Sequence, residues 1–242
     1  MKIWLRRIGW MLGLVVVVLA AVAMIGLWQG ERRAQRQVQV SVQPVAWRTD
    51  PAALERGAYL YASRGCAECH GDDGGGRTLV DDGKGTKLAG HNITRGNPRL
   101  AAYREEDWVR SVRHGVAPTG RPLRLMPSED YNRLTDADLA AVVAHVRQLP
   151  PKTGNTEPTL LFPLPARVLY GLGQIPDAFD RIDHRLAPSQ PVAEGVSVEH
   201  GRYVAQMCTG CHGATFVGGR VPGGAPDWPP ASRLSPGGDS VM

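Results

Sequence analysis

The chain has 242 residues, a length typical of one large domain or two small ones. Its 43% hydrophobic and 21% charged residues exclude a disordered chain, whereas 29 glycines, 19 prolines and only 6% aromatic residues favour small units with long loops. The net charge of +5 does not indicate a nucleic-acid partner, because the excess lies before Asp50, where there are seven basic residues and one acidic residue. The rest of the chain has 21 basic and 22 acidic residues.

The first predicted element is an uncharged, apolar run from Ile8 to Trp28. As a helix it would be about 30 Å long, the thickness of the hydrocarbon core of a bilayer. Lys2, Arg6 and Arg7 precede the run and favour a cytoplasmic N-terminus, although three arginines soon after Trp28 weaken that bias. We therefore predict a transmembrane anchor over residues 1–30, followed by a linker over 31–53.

A cleaved secretory signal is the alternative interpretation of this run. Ala21-Val22-Ala23 has the small-x-small pattern of a cleavage site. Cleavage there would leave an apolar stub that ends at Trp28, so we prefer a retained anchor. Both interpretations place the rest of the chain outside the cytoplasm, which for a bacterial protein is the periplasm.

The motif CxxCH occurs twice, 142 residues apart, and uses all four cysteines. Two thiols three positions apart lie on one face of a helical turn and can bond to the two vinyl groups of one haem, while the adjacent histidine ligates the iron. We therefore predict two covalently bound haem c groups. The predicted attachment residues are Cys66, Cys69, Cys208 and Cys211, and the predicted iron ligands are His70 and His212.

Two other sites are compatible with CxxC pairs. Together the pairs could form one four-cysteine zinc site, and each alone could be a redox-active dithiol. Zinc does not require a histidine after each pair, and 138 residues separate Cys69 from Cys208, against about 20 in a usual zinc ribbon. We therefore favour haem.

With these motifs the chain resembles the class I cytochrome c family, and more closely the membrane-anchored, multidomain bacterial cytochromes c. The resemblance covers residues 54–150 and, less completely, 195–242. In that family a helix leads into CxxCH, a methionine loop supplies the second axial ligand, and a closing helix packs across the first. The resemblance implies a mostly α-helical fold, in which a transmembrane helix precedes two small helical haem domains.

The first unit, cytochrome c domain 1 over residues 54–150, contains each of these elements. We predict an entry helix over Leu54–Arg64 and a middle helix over Tyr103–His114. Thr135 is a predicted N-cap for the closing helix, which Pro150 ends.

Met126 lies between two prolines in the loop before the closing helix. Its thioether is a soft ligand, and its position in the family implies that it is the sixth ligand of the first iron. Packing in the core is the commoner role of methionine. The nearby His91 and His114 are expected at the surface, or in contact with haem propionates.

Residues 151–194 are predicted to be a connector whose apolar part, Leu160 to Leu172, packs on a haem domain. Residues 195–242 are predicted to be a partial cytochrome c domain 2, because Glu199–Tyr203 echoes Glu55–Tyr59.

The echo continues after His212, where residues 230–235 correspond to residues 89–94. The sequence then ends at Met242, before any counterpart of the middle helix, methionine loop or closing helix. We therefore expect an incomplete second domain and assign no distal ligand to its iron, since neither Met207 nor Met242 is well placed.

An iron held by His70 and Met126 has no vacant position, which favours electron transfer without catalysis, and no catalytic residue is assigned. The expected partners are a periplasmic dehydrogenase, a quinol complex or a terminal oxidase, because the chain is similar to cytochrome subunits of bacterial alcohol and sugar dehydrogenases. A peroxidase-like haem enzyme that uses an open second iron is the first alternative. A non-haem metal-binding or structural module is the second.

Overall fold

The computed structural model describes residues 2–221 and 228–237 and is mostly helical. Helix α1, Lys2–Gln35, is the one helix of the described residues that is long and apolar enough to cross a membrane. It extends five residues into the stretch predicted as a linker, so that stretch begins as helix. Arg32 and Arg33 lie in its last turn, where positive charge stabilises the helix dipole.

Six short helices form the first unit. They are α2 (Pro51–Ser63), α3 (Cys66–His70), α4 (Pro98–Ala101), α5 (Glu105–His114), α6 (Ser128–Tyr131) and α7 (Asp136–Gln148). The side chain of Thr135 accepts a hydrogen bond of 3.1 Å from the backbone N–H of Asp138, which confirms the predicted cap of the closing helix, α7. The middle helix, α5, begins at Glu105 rather than at Tyr103, because the Asp107 carboxylate accepts the backbone N–H of Arg104 and starts the helix there.

Helices α2 and α7 cross at Gly57, as predicted for the entry and closing helices. A Cβ atom on Gly57 would lie 2.0 Å from the carbonyl oxygen of Ala141, so the two backbones touch. The core of the unit is formed by side chains from α2, α3, α4, α5 and α7. Its buried members are Leu60, Tyr61, Ala67, Leu100, Trp108, Val109, Leu139, Val142, Val143 and Val146.

A three-stranded antiparallel sheet, which the sequence did not predict, flanks the helices. Its strands are β1 (Thr78–Asp81), β2 (Lys87–Ala89) and β3 (Thr159–Leu161), in the order β1-β2-β3. Leu88 pairs with Val80 on one side and with Leu160 on the other. The connector therefore begins as part of the first unit.

The prediction that the apolar part of the connector packs on a haem domain holds for Leu160 and is wrong for the part from Leu164 onward. Helix α8, Leu164–Gly171, packs against α1 instead. Helix α9, Ala178–Arg181, follows, and Asp180 forms an ion pair of 2.5 Å with Arg33 of α1.

The second CxxCH segment packs on α6 and α7 of the first unit. It consists of α10 (Val198–Ala205), a 3-10 turn (Gln206–Cys208) and α11 (Thr209–His212). The hydroxyl group of Tyr203 donates a hydrogen bond of 2.6 Å to Asp138 Oδ2. The two CxxCH helices therefore belong to one packed body. Met242 lies outside the described residues.

Candidate functional site

The first CxxCH motif forms a single helical turn, α3, that brings Cys66, Cys69 and His70 together. Gly65 and Gly71 bound the turn with φ values of 75° and 74°, a left-handed region that favours glycine. The N–H of Gly71 donates to the carbonyl of Ala67 at 2.8 Å and ends the helix. Burial raises the pKa of the Cys66 thiol to about 11 and also raises that of Cys69, so both are neutral thiols in the protein without haem.

A backbone carbonyl fixes the orientation of the His70 ring. The Nδ1 atom of His70 lies 2.8 Å from the carbonyl oxygen of His91, which can only accept, so Nδ1 carries the proton and the lone pair is on Nε2. Burial lowers the pKa of His70, against the opposing effect of this hydrogen bond, and favours the neutral imidazole. A neutral imidazole whose second nitrogen donates to a carbonyl is a common form of a metal-ligating histidine.

His91 itself is half-buried. Its ring meets the ring of His70 edge to face, with centroids 5.5 Å apart. Burial and the neighbouring His70 lower the pKa of His91 to about 4. A link from its side chain to a haem propionate stays a prediction.

A buried polar cluster, formed by Asn92, Thr94 and Asn97, holds the loop that carries the His91 carbonyl, the acceptor of His70. The Asn92 amide donates at 2.7 Å to the carbonyl of Lys152, and its oxygen accepts the N–H of Thr94 at 2.9 Å. The Asn97 amide donates at 2.8 Å to the carbonyl of Asn92. All three residues are fully buried. Sequence reasoning missed this cluster, and the only signal was the spacing of its short polar side chains.

The second motif repeats this arrangement. The Nδ1 atom of His212 lies 2.7 Å from the carbonyl oxygen of Ser232, the residue that corresponds to His91 in the sequence echo. Gly213 ends α11 with φ 75° and ψ 162°, against 74° and 158° for Gly71. Its N–H donates to the carbonyl of Thr209 at 2.9 Å, as that of Gly71 does to Ala67.

The loops after the two histidines also share their backbone hydrogen bonds. In each loop, one backbone N–H donates to the carbonyl of the motif histidine, and the N–H of a later residue donates to a carbonyl inside the loop. The pairs are Gly76 to His70 (2.8 Å) and Gly218 to His212 (2.9 Å), then Ile93 to Gly74 (2.8 Å) and Leu234 to Phe216 (2.8 Å). Within the described residues, the sequence echo therefore coincides with repeated backbone hydrogen bonds.

The residues present fit a covalently bound haem at each motif. The donor set is two thiols in one turn and an imidazole with a free Nε2, which is the set that c-type attachment needs. At the first motif the following loop lies directly on α3, since a Cβ atom on Gly90 would lie 2.0 Å from the carbonyl oxygen of Cys69. When bound, haem c supplies an iron that alternates between two oxidation states.

Met126 lies in a restrained loop between α5 and α6. Val116 and Pro122 form an antiparallel bridge at its base, and Ser128 Oγ donates at 3.0 Å to the carbonyl of Ser111. The side chain of Met126 is half-buried. Its ligation of the first iron stays a prediction.

The other histidine and methionine near the motifs have different surroundings. His114 is buried, not exposed, and its Nδ1 lies 3.0 Å from Nδ1 of His184 in the connector. The sulfur of Met207 contacts the guanidinium of Arg64 at the junction of the two units.

Comparisons with known proteins show similarity to cytochromes c. Residues 52–146 match the family model described as cytochrome C oxidase, cbb3-type, subunit III. The chain is 28% identical over 127 residues to the fructose dehydrogenase cytochrome subunit of Gluconobacter japonicus, which covers 50% of this chain and 26% of that protein. It is 29% identical over 173 residues to the gluconate 2-dehydrogenase cytochrome c subunit of Pantoea cypripedii, which covers 66% of this chain and 38% of that protein.

The matched regions are therefore well under half of either relative. Within this chain, they show a cytochrome c domain that is similar to the cytochrome subunits of dehydrogenases. Such a domain binds covalent haem c and transfers electrons.

Proposed function

We propose that this chain, which carries a cytochrome c domain, is a membrane-anchored dihaem cytochrome c of the periplasm. It carries electrons between a periplasmic dehydrogenase or a quinol-oxidising complex and a downstream acceptor. The observation that carries the proposal is the second histidine–carbonyl pair, His212 with Ser232, in a loop whose described residues repeat backbone hydrogen bonds of the first. A CxxCH sequence that had no ligand role would not need that restraint on its imidazole.

Each protein group has a distinct role in this proposal. The cysteines of the two motifs attach the haems, and Nε2 of each motif histidine ligates an iron. The carbonyls of His91 and Ser232 hold the two rings in the ligating tautomer and increase the basicity of Nε2. Met126 provides the second ligand at the first iron, where a thioether stabilises the reduced state and raises the potential.

The packing of the two units supports transfer between the haems. Arg64, two residues before Cys66, contacts Met207, which precedes Cys208. Asp130 of α6 lies against α11, because a Cβ atom on Gly210 would lie 2.5 Å from its carboxylate. Electrons could thus pass within one body, and no domain movement is needed.

The proposed partner is a dehydrogenase, because both relatives are cytochrome subunits of dehydrogenases by name. The anchor would keep the haem units at the membrane surface, beside electron donors and acceptors. Helix α1 has the length and composition for that role.

The haem content of the mature chain tests the proposal. The full chain is produced with a cytochrome c maturation system, and covalent haem is measured per chain. We expect two haems in the natural sequence and one in the double variant Cys208→Ser/Cys211→Ser. The matched variant Cys66→Ser/Cys69→Ser should also retain one haem. A single haem in the natural sequence that survives the first double variant would contradict a dihaem cytochrome.

Carbon monoxide then separates the carrier from the alternative enzyme. A reduced protein that binds no carbon monoxide has two six-coordinate irons, as expected for a carrier. Binding at one haem, together with peroxide turnover above that of free haem, would favour the peroxidase-like function.

A further inference from the structure

The connector helix α8 lies in backbone contact with the outer end of α1. A Cβ atom on Gly171 would lie 1.7 Å from the carbonyl oxygen of Gly26, and one on Gly30 would lie 3.5 Å from Cα of Gly171. Val168 of α8 also lies against Gly26, since a Cβ atom on Gly26 would lie 2.8 Å from the side chain of Val168. Small residues at positions 26, 30 and 171 therefore allow a helix crossing that larger side chains would prevent.

The crossing marks a defined depth on the anchor. If Ile8 to Trp28 fills the hydrocarbon core, then Gly26 and Gly30 lie at its outer boundary, on either side of Trp28. Indole rings prefer this boundary, which supports the same placement. A helix that touches α1 here lies in the interface between acyl chains and headgroups.

Leucines make up much of the exposed surface of α8 at that depth, on which Arg167 is exposed as well. Leu164 is 56% exposed, Leu169 is 45% exposed and Leu172, directly after the helix, is 39% exposed. Leu164, Val168 and Leu172 follow one another at intervals of four residues, so they lie on one side of the helix. Because Val168 of this row packs on α1, Leu164 and Leu172 continue the apolar surface of the anchor.

Ion pairs join the start of α9, a later part of the connector, to α1 beyond this apolar surface. Arg33 and Arg36, one to two turns beyond Gly30 on α1, pair with acidic residues on either side of the start of α9. Nη2 of Arg33 lies 2.5 Å from Asp180 Oδ2, and Nη2 of Arg36 lies 2.9 Å from Asp177 Oδ2. The charged contacts thus follow the apolar ones along α1, in the order expected where a helix leaves a bilayer.

We propose that α8 lies in the interface on the periplasmic side of the cytoplasmic membrane. Its side chains Leu164, Leu169 and Leu172 are inserted at the acyl-chain boundary. An interfacial helix with one apolar side binds lipid in this way. The inference rests on the membrane anchor of the proposed function. Through α8 and β3, which pairs with β2 of the first haem unit, the lipid contact restricts how that unit can rotate about α1.

Cysteine accessibility in vesicles tests this placement. The matured full chain, whose own cysteines are bonded to haem, is reconstituted in vesicles of phosphatidylcholine and phosphatidylglycerol. Single Leu164→Cys and Leu169→Cys variants are alkylated with a membrane-impermeant maleimide, and Val196→Cys, at a fully exposed position, is the control. Transfer of a leucine-sized group out of water predicts alkylation at least about tenfold slower at positions 164 and 169 than at 196.

A second variant tests the role of the helix crossing. Gly171→Leu prevents the contact with Gly26, so we expect alkylation at position 164 to become as fast as at the control while the chain still floats with the vesicles.

The remaining outcomes separate the inference from the proposed function. Alkylation at control rates in chains that float with the vesicles would overturn the interfacial placement of α8 and leave the anchor intact. Protection that develops only when a dehydrogenase is added would identify a protein surface and would also overturn it. Loss of flotation for the natural sequence would show that the anchor itself fails.

Discussion

Replacing Gly57 by alanine tests the helix crossing that organises the first haem unit. The new Cβ atom would lie 2.0 Å from the carbonyl oxygen of Ala141 and 2.6 Å from its carbon, so α2 and α7 must separate. Overpacking of this kind costs about 1–3 kcal/mol and occasionally more. Alanine regains about 1 kcal/mol of helix propensity. The contact involves rigid backbone on both sides, so we expect an overpacking cost in the upper part of that range. After the gain in helix propensity, the net loss of unfolding free energy is about 2 kcal/mol.

The sequence repeat provides a matched control, because Gly201 occupies the corresponding place in α10. A Cβ atom on Gly201 would meet nothing within 4 Å. Gly201→Ala should therefore leave stability unchanged or increase it by up to about 1 kcal/mol.

The free energy of unfolding is measured for both variants by denaturant titration of the matured protein, followed through the helical circular dichroism signal. A net loss of 2 kcal/mol corresponds to a fall in Tm of roughly 10 °C for a domain of about 100 residues. Equal stabilities of Gly57→Ala and Gly201→Ala would refute the close crossing. A loss in Gly201→Ala alone would show that the second unit, and not the first, has the tightly packed entry helix.

Two further changes test the iron ligand and the connector. Met126→Ala should leave both haems attached and lower the midpoint potential of the first by at least about 60 mV, a tenfold change in the one-electron equilibrium. An unchanged redox titration and spectrum would show that Met126 is not a ligand of the first iron. Burial, and then the nearby His184, lower the pKa of His114 from 6.5 to about 4. The neutral ring therefore contributes stability that is present above pH 6.5 and is lost as the pH falls through 4. In urea titrations across this range, His114→Gln should lose less unfolding free energy than the natural sequence, and parallel curves for the two proteins would contradict this.

The sequence predicted the helices of the first unit because their signals are local. A cap at Thr135, a proline at 150 and apolar spacing each act within a few residues, and the structure begins α7 directly after that cap. The sheet has no comparable signal. Strand β3 is three residues long and pairs with β2, which lies about 70 residues earlier in the chain, so only the tertiary fold makes these segments strands.

The site was predictable in its side chains and not in its backbone. CxxCH identifies the thiols and imidazoles by residue type, whereas the acceptors of both histidines are main-chain carbonyls, which every residue has. His91 and Ser232 are unlike as side chains and equivalent as acceptors. A search for matching side chains therefore finds no repeat at this position, although the hydrogen bonds repeat.

The part of the connector from Leu164 onward was predicted to pack on the wrong partner for a related reason. Its apolar residues indicate burial, but hydrophobicity does not specify which surface covers them. That choice is made by shape, since Gly26, Gly30 and Gly171 let α8 approach α1 more closely than side chains would allow elsewhere. In a single sequence these glycines contribute only low helix propensity. Their function becomes visible when they face one another across a helix crossing, which joins the proposed membrane anchor to the connector of the cytochrome c domain by packing as well as by the chain.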